Sequence, residues 1–345
     1  MKANPYLLIA LIYFFFNSWG LPEGLLYTIV LTPLFYYWVH VKGARQVLTG
    51  FVLLSLPFAL IHLLQGVALY YYFKSLVLLF TVYVFTYAVH IFFKRYPHPE
   101  RIFRWLLIAN FVAVLVAIVL FFTPWRELLW TVRNLTVEIK DFPRLQLLTY
   151  EPSYYSTLLV PIVLYYVAKL LFEPHDTKTT IAYLVLMLLP LLLSFSLGVL
   201  GTLGAVMVLF FLLHFKRLLV RRHVFYSLSS VILLTVVTLV ALWVFVPDNP
   251  LYERVGDLFA GKDTSGRGRT VEALKLATLV ADTKSRWFGV GVGQVKVAAE
   301  VVIRDYYHYT SSDIPVIRIP SAIGETIGTF GFVGLVLRFG LQAYL

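Results

Sequence analysis

The sequence predicts an all-α, polytopic integral membrane protein of about ten transmembrane helices. Three observations lead there. Of 345 residues, 60% are hydrophobic and only 14% charged, where a soluble domain carries about 25% charged residues. Mean hydropathy is +0.81. Apolar runs of about 20 residues, the length that crosses a bilayer as a helix, recur along the whole chain.

The runs lie near residues 6–20, 24–41, 47–64, 67–93, 101–122, 153–172, 180–196, 198–214, 224–246 and 321–340. The first follows Met1-Lys2 but lacks a small-residue cleavage pattern, since Asn17-Ser18-Trp19 comes next; a retained span is expected rather than a signal peptide. Lys42 and Arg45 follow the second run, Lys94, Arg95, Arg101 and Arg104 flank the fourth and fifth, and Lys216, Arg217, Arg221 and Arg222 follow the eighth. These loops alternate with nearly uncharged ones at 21–23, 65–66 and 197–198. The positive-inside rule then puts both termini in the cytoplasm.

That orientation sends two longer loops outside, at 123–150 and 247–320, within a single transmembrane domain covering 1–345. Both are basic, which the rule allows because long loops translocate largely regardless of charge. Arg126, Arg133, Lys140 and Arg144 lie in the smaller loop, and ten cations from Arg254 to Arg318 in the larger. Cations on an outer face have no topological cause; a surface that meets phosphates supplies one. In the large loop Val271, Leu274, Thr278 and Leu279, with Ala273, Ala277 and Ala281 among them, predict a helix with one apolar face. A second helix is expected from Val295 to Asp305, and Gly289, Gly291 and Gly293 break the chain between them.

Composition excludes some chemistry. With no cysteine, disulfides, thiolate metal sites and a cysteine nucleophile are impossible. Cytoplasmic loops account for much of the net charge of +11, so no nucleic-acid partner is expected. Of eight histidines only His62 and His308 map to the outer face. None pairs at metal-ligand spacing and no HExxH occurs, so neither a catalytic metal nor another cofactor is expected.

Three constellations carry candidate chemistry. Ser265-Gly266-Arg267-Gly268-Arg269-Thr270 sets two guanidinium groups at a helix start, where bidentate donors and free amides suit a phosphate or pyrophosphate; a solvated loop is the plain alternative. Phe288-Gly289-Val290-Gly291-Val292-Gly293-Gln294 fails as a dinucleotide fingerprint, because no strand precedes it. It reads as a tight turn whose bare amides could also approach an anion. Glu151-Pro152-Ser153, beside Tyr150, Tyr154 and Tyr155, makes a good helix start, and its carboxylate could also serve as a base toward a sugar hydroxyl. Arg144 lies just upstream. His308, within Tyr306-Tyr307-His308-Tyr309, is a second possible acid or base, and Asn134-Leu135-Thr136 matches a glycosylation sequon.

Taken together, these residues resemble the O-antigen ligase and O-antigen polymerase superfamily of bacterial envelope glycosyltransferases. The resemblance covers about residues 140 to 340: Ser265-Gly266-Arg267, an apolar helix, the Gly289–Gly293 turn, and glycine spacing in the last span at Gly328, Gly331 and Gly334. Glu-Pro-Ser opening a mid-chain span is similar to members that polymerise exopolysaccharide. The resemblance implies a GT-C-like, metal-independent enzyme of the bacterial inner membrane, its active site facing the periplasm. It would move a glycan from undecaprenyl pyrophosphate to an acceptor glycan hydroxyl, with other polysaccharide-assembly proteins as expected partners. It implies catalytic roles for Arg267 or Arg269 on the pyrophosphate, and for Glu151 or His308 as base. Arg144, Tyr154, Arg286, Gly289, Gly291 and Gly293 would bind substrate. Ligases carry a His-Asn pair where this chain has Pro320-Ser321, which favours a polymerase, with a ligase as the alternative. A flippase for a lipid-linked anion, or a non-catalytic membrane scaffold, are the readings from other classes.

Overall fold

A computed structural model describes residues 5–22, 25–41, 46–96, 98–133, 142–172, 177–220, 256, 271–307 and 317–344. Among them the chain is helical apart from one short hairpin, as an all-α membrane protein requires. Five helical stretches are long and apolar enough to cross a membrane. The expected span at 224–246 lies outside the described residues.

The first helices differ from expectation in an instructive way. α1 (Pro5–Phe14) stops well before residue 20. Asn17 is buried there, and its amide donates to the Tyr13 carbonyl at 3.3 Å and the Tyr154 hydroxyl at 2.8 Å. A short polar side chain that serves backbone and neighbour in this way competes with helix continuation. The second run is split into α2 (Tyr27–Val30) and α3 (Thr32–Val41). Pro33 has no amide to donate and restricts Thr32 before it, so the helix restarts at that point.

α4 (Val47–Leu64), α5 (Leu69–Arg95) and α6 (Pro99–Phe121) follow the expected runs closely. The smaller polar loop is folded: a 3-10 turn (Pro124–Leu128) leads into an antiparallel hairpin of β1 (Trp130–Arg133) and β2 (Phe142–Leu145). Trp130 pairs with Leu145 and Thr131 with Arg144. α7 (Pro152–Phe172), α8 (Thr177–Ser194) and α9 (Leu197–Val220) complete the expected sixth to eighth runs. Beyond the undescribed stretch come α10 (Val271–Asp282), α11 (Val295–Tyr307) and α12 (Ala322–Tyr344).

The chain groups into two compact units, one of Met1–Leu31 with Val89–Pro250, the other of Thr32–Ala88 with Leu251–Leu345. In the first, α7 packs on α8 and α6 around Leu107, Leu145, Tyr155, Leu159, Tyr166 and Met187. Several buried polar groups there are paired: the Tyr155 hydroxyl donates to Asn110 Oδ1 at 2.8 Å, Trp130 Nε1 donates to the Ala117 carbonyl at 2.8 Å, and Lys169 pairs with Glu100, whereas Asn110 Nδ2 and the Tyr166 hydroxyl have no partner among the described residues.

In the second unit α10 lies between α11 and α12. Its buried face is Ala273, Leu276, Ala277, Val280 and Ala281, while Val271, Leu274 and Leu279 are exposed. The single apolar face expected from sequence is therefore two faces. The alanines go inward because small side chains let a neighbouring helix approach closely: a Cβ on Gly324 of α12 would stand 3.1 Å from the Ala273 carbonyl oxygen.

α12 covers the last expected run, 321–340, and is broken within it. At Gly331 the backbone takes φ 66° and ψ −167°, which no helix contains. Beyond the break the chain folds back, because Arg338 Nη1 donates to the Ala322 carbonyl at 2.7 Å and to Thr326 Oγ1 at 2.5 Å. In a straight helix residues 322 and 338 would stand about 24 Å apart, beyond any arginine. α12 is thus a V of two arms, 322–330 and 332–344. By length and composition it would count as a span, but each arm, at about 14 and 20 Å, is shorter than the ~30 Å hydrocarbon layer.

Candidate functional site: the glycine turn

The turn between α10 and α11 is built into the break in α12. Gly331 interrupts the helical ladder and frees groups on both sides, and the turn takes them up. Val290 N donates to the Gly328 carbonyl at 2.9 Å and Gly291 N to the Thr329 carbonyl at 3.0 Å. In return, Phe332 N donates to the Arg286 carbonyl at 3.1 Å and Val333 N to the Trp287 carbonyl at 3.0 Å. Four bonds thus join two stretches about 40 residues apart in sequence, and they satisfy backbone groups on both sides of the kink.

Such proximity needs bare backbone. A Cβ at Gly331 would lie 2.2 Å from the carbonyl carbon and oxygen of Trp287, and one at Gly293 would lie 2.3 Å from Ser75 Oγ and 2.5 Å from the Tyr71 carbonyl oxygen. Both residues also sit at positive φ, where a side chain is strained in any case. Gly289 and Gly291 share that left-handed backbone. The amides of Val290 and Gly291 are committed to α12, so the turn acts first as a joint.

Three side chains to which the sequence assigned no role fix this joint to the turn between α4 and α5. His62, wholly buried, donates from Nε2 to the Phe288 carbonyl at 2.8 Å. A carbonyl only accepts, so the proton is on Nε2 and Nδ1 is free to accept from the Tyr72 hydroxyl at 3.3 Å. Gln294 makes a reciprocal pair with Ala68, accepting from its amide at 2.8 Å and donating to its carbonyl at 3.1 Å. Lys284 Nζ donates to the carbonyls of Gln65, at 2.9 Å, and Gly66. The sequence carried one hint, the placing of His62 among only two outward histidines. Partners more than 200 residues away in sequence carry no local signal.

Arg286 stands exposed beside this joint in a bidentate pair with Asp282, at 2.9 and 2.7 Å. The guanidinium hydrogen bonds hold the Asp282 carboxyl below its ordinary range. Further round the same unit, Glu325 stands in the first turn of α12. It is a carboxylate that no sequence pattern singled out.

The candidates of the first unit form a separate group. Glu151 Oε1 accepts from Ser153 Oγ at 2.9 Å, and its carbonyl accepts from the Tyr155 amide at 3.0 Å and Thr149 Oγ1 at 3.0 Å. Glu151 thus opens α7 in the manner of a helix cap. Tyr154 stacks on Tyr150 with ring centroids 5.0 Å apart, and its hydroxyl is held by Asn17. Arg144 Nε donates to the Ser194 carbonyl at 3.0 Å, at the C-terminus of α8, where a cation suits both the free carbonyl and the helix dipole. Each unit therefore holds its own group of candidates. Arg267, Arg269, His308 and the Asn134 sequon lie outside the described residues.

Residues 182–339 match the family model described as O-antigen ligase, Wzy_C. No curated protein and no solved structure matches the chain.

Proposed function

With residues 182–339 belonging to the O-antigen ligase and polymerase superfamily, we propose that this integral membrane protein is a glycosyltransferase that extends surface polysaccharide from undecaprenyl-pyrophosphate-linked repeat units. The observation that carries this reading is that the matched stretch takes in the basic loop, with Arg267 and Arg269, together with the glycine turn anchored in the break of α12. The four-bond joint follows α10, the helix that comes next in sequence after the two arginines.

In the proposed reaction the acceptor hydroxyl oxygen forms a bond to the anomeric carbon as the bond from that carbon to the pyrophosphate oxygen breaks. Negative charge grows on the departing pyrophosphate. Fixed guanidinium groups of Arg267 and Arg269 stabilise it in place, and such preorganised donors act where charge develops. The hydroxyl proton passes to a general base; Glu151, His308 and Glu325 are the residues to test. The reaction faces the periplasm in the orientation derived from loop charge. Pro320-Ser321, where ligases carry His-Asn, favours growth of the chain over transfer to a lipid A-core acceptor; ligation is the second reading.

The test uses purified full-length protein and a synthetic undecaprenyl-pyrophosphate oligosaccharide, scored for longer glycans and released carrier. Arg267→Ala with Arg269→Ala should lower turnover by at least about 100-fold while helicity is unchanged. Full turnover in that double variant would falsify the proposed mechanism. Transfer only to a lipid A-core acceptor would identify a ligase, and lipid transport into proteoliposomes without glycan transfer a flippase.

A further inference from the structure

The V of α12 borders an open cavity. It has a volume of about 430 Å³ and is walled by α4, α5 and both arms of α12. This is within the ~300–1,000 Å³ of ordinary small-molecule sites. Phe58 and Phe330 close one end, edge to face at 5.3 Å. Leu54, Leu76, Leu79 and Leu341 make the sides. Most hydroxyls on the wall are occupied: Ser55 donates to the Phe51 carbonyl at 2.8 Å, Thr86 to Val82 at 2.8 Å and Thr326 to Ala322 at 2.8 Å.

Arg338 is the exception. Among the described residues it is the one cation on that wall, and no carboxylate pairs with it. Among the described residues only Nη1 is engaged, by a carbonyl and a hydroxyl. A guanidinium carries five N–H donors, so Nε and Nη2 keep theirs. A cation set in an apolar wall without a counter-charge is costly, and in membrane proteins marks a site with an anionic partner. Gln342 lies one turn further along the same wall, placed to add an amide donor beside the guanidinium.

We propose that this cavity binds one anionic phospholipid of the bilayer, an acyl chain filling the trough and the phosphodiester paired with Arg338. A single guanidinium matches a single negative charge. A pyrophosphate would bring more charge than the wall can answer, and a long polyprenol more chain than the trough can enclose. Bound there, the headgroup would share Arg338 with Ala322 and Thr326, so lipid occupancy would bear on how tightly the V is latched. This inference stands independently of the glycosyltransferase reading, because its readout is lipid retention.

The experiment takes full-length protein in nanodiscs of phosphatidylcholine, with phosphatidylglycerol or undecaprenyl phosphate added in separate arms, and counts lipids retained after release by native mass spectrometry. One phosphatidylglycerol per chain should be retained in preference to phosphatidylcholine. Arg338→Gln should weaken that retention roughly tenfold and Arg338→Lys less. Leu79→Trp, which fills the trough without touching the charge, should weaken it too and keeps the test decisive if Arg338→Gln does not fold. Arg304→Gln, whose guanidinium pairs with Glu300 elsewhere, should leave it unchanged. Equal retention of both phospholipids, no loss on Leu79→Trp, or preferential retention of undecaprenyl phosphate would each overturn the proposal.

Discussion

Gly331→Ala is a small change with a large expected cost. At φ 66° and ψ −167° the residue occupies a region open almost only to glycine, so a methyl group there costs about 1–3 kcal/mol in backbone strain. The new Cβ would also stand 2.2 Å from the Trp287 carbonyl and 2.4 Å from the Phe288 amide nitrogen. Both neighbours are backbone, so no side chain can swing away, and the turn must retreat by about 1 Å or more to reach ordinary contact. Retreat weakens the four bonds at 2.9–3.1 Å that tie the turn to α12. Losing two of them adds roughly 2 kcal/mol. The sum, about 3–5 kcal/mol, is a large part of the ~5–15 kcal/mol that holds a typical domain together. The absence of cysteine rules out thiol-reactive dyes, so the assay is thermal unfolding in detergent followed by intrinsic tryptophan fluorescence, with Trp287 at the joint as reporter. The midpoint should fall by roughly 5–10 °C. Gly340→Ala, where a Cβ meets nothing within 4 Å, should move it by about a degree at most. A Gly331→Ala midpoint equal to that of Gly340→Ala would refute the clamped-kink account.

Other predictions concern the fastening of the same joint. His62→Phe keeps the ring but strands the Phe288 carbonyl and the Tyr72 hydroxyl, and should cost about 1–3 kcal/mol in the same unfolding assay. Gln294→Leu removes both bonds to Ala68 and should expose the Gln65–Ala68 turn to limited proteolysis at rates several-fold above the parent. Asp282 gives a pH test whose sign is fixed: its folded pKa lies below the unfolded one, so the pair contributes above the ordinary aspartate range and its contribution is lost as pH falls through the folded value. Asp282→Asn should therefore be slightly less stable than the parent at pH 7 and equal to it in strong acid, by a small margin because both groups are exposed. An undiminished gap in acid would show that the carboxylate charge is not the cause.

Hydropathy made α4 to α8 legible to within about three residues and α9 all but its last turns, because a helix that faces lipid must be apolar along its length. It was blind to the break in α12, since a kink changes φ at one residue and leaves composition untouched. The spacing of Gly328, Gly331 and Gly334 was visible but reads equally well as close helix packing. Asn17 and Pro33 were likewise in plain view, yet their power to end and split helices depends on Tyr154 and on the turn before Thr32. The candidate site was legible where it is local: the Gly289–Gly293 turn and the helices on either side of it stand where the spacing put them. His62, Lys284 and Gln294 were not, because what each does is defined by a distant partner.

The fastening of Gln65 and Ala68 to Lys284 and Gln294, at separations of 219 and 226 residues, also dictates an order of assembly. Ribosomes add about 5–20 residues per second, so the α4–α5 hairpin exists for roughly 10–45 s before its partners are made. Throughout that time His62 and the carbonyls of the α4–α5 turn must find temporary company in water, lipid or an insertion chaperone. More than a third of the second unit is therefore among the first parts of the chain to be synthesised and among the last to be finished.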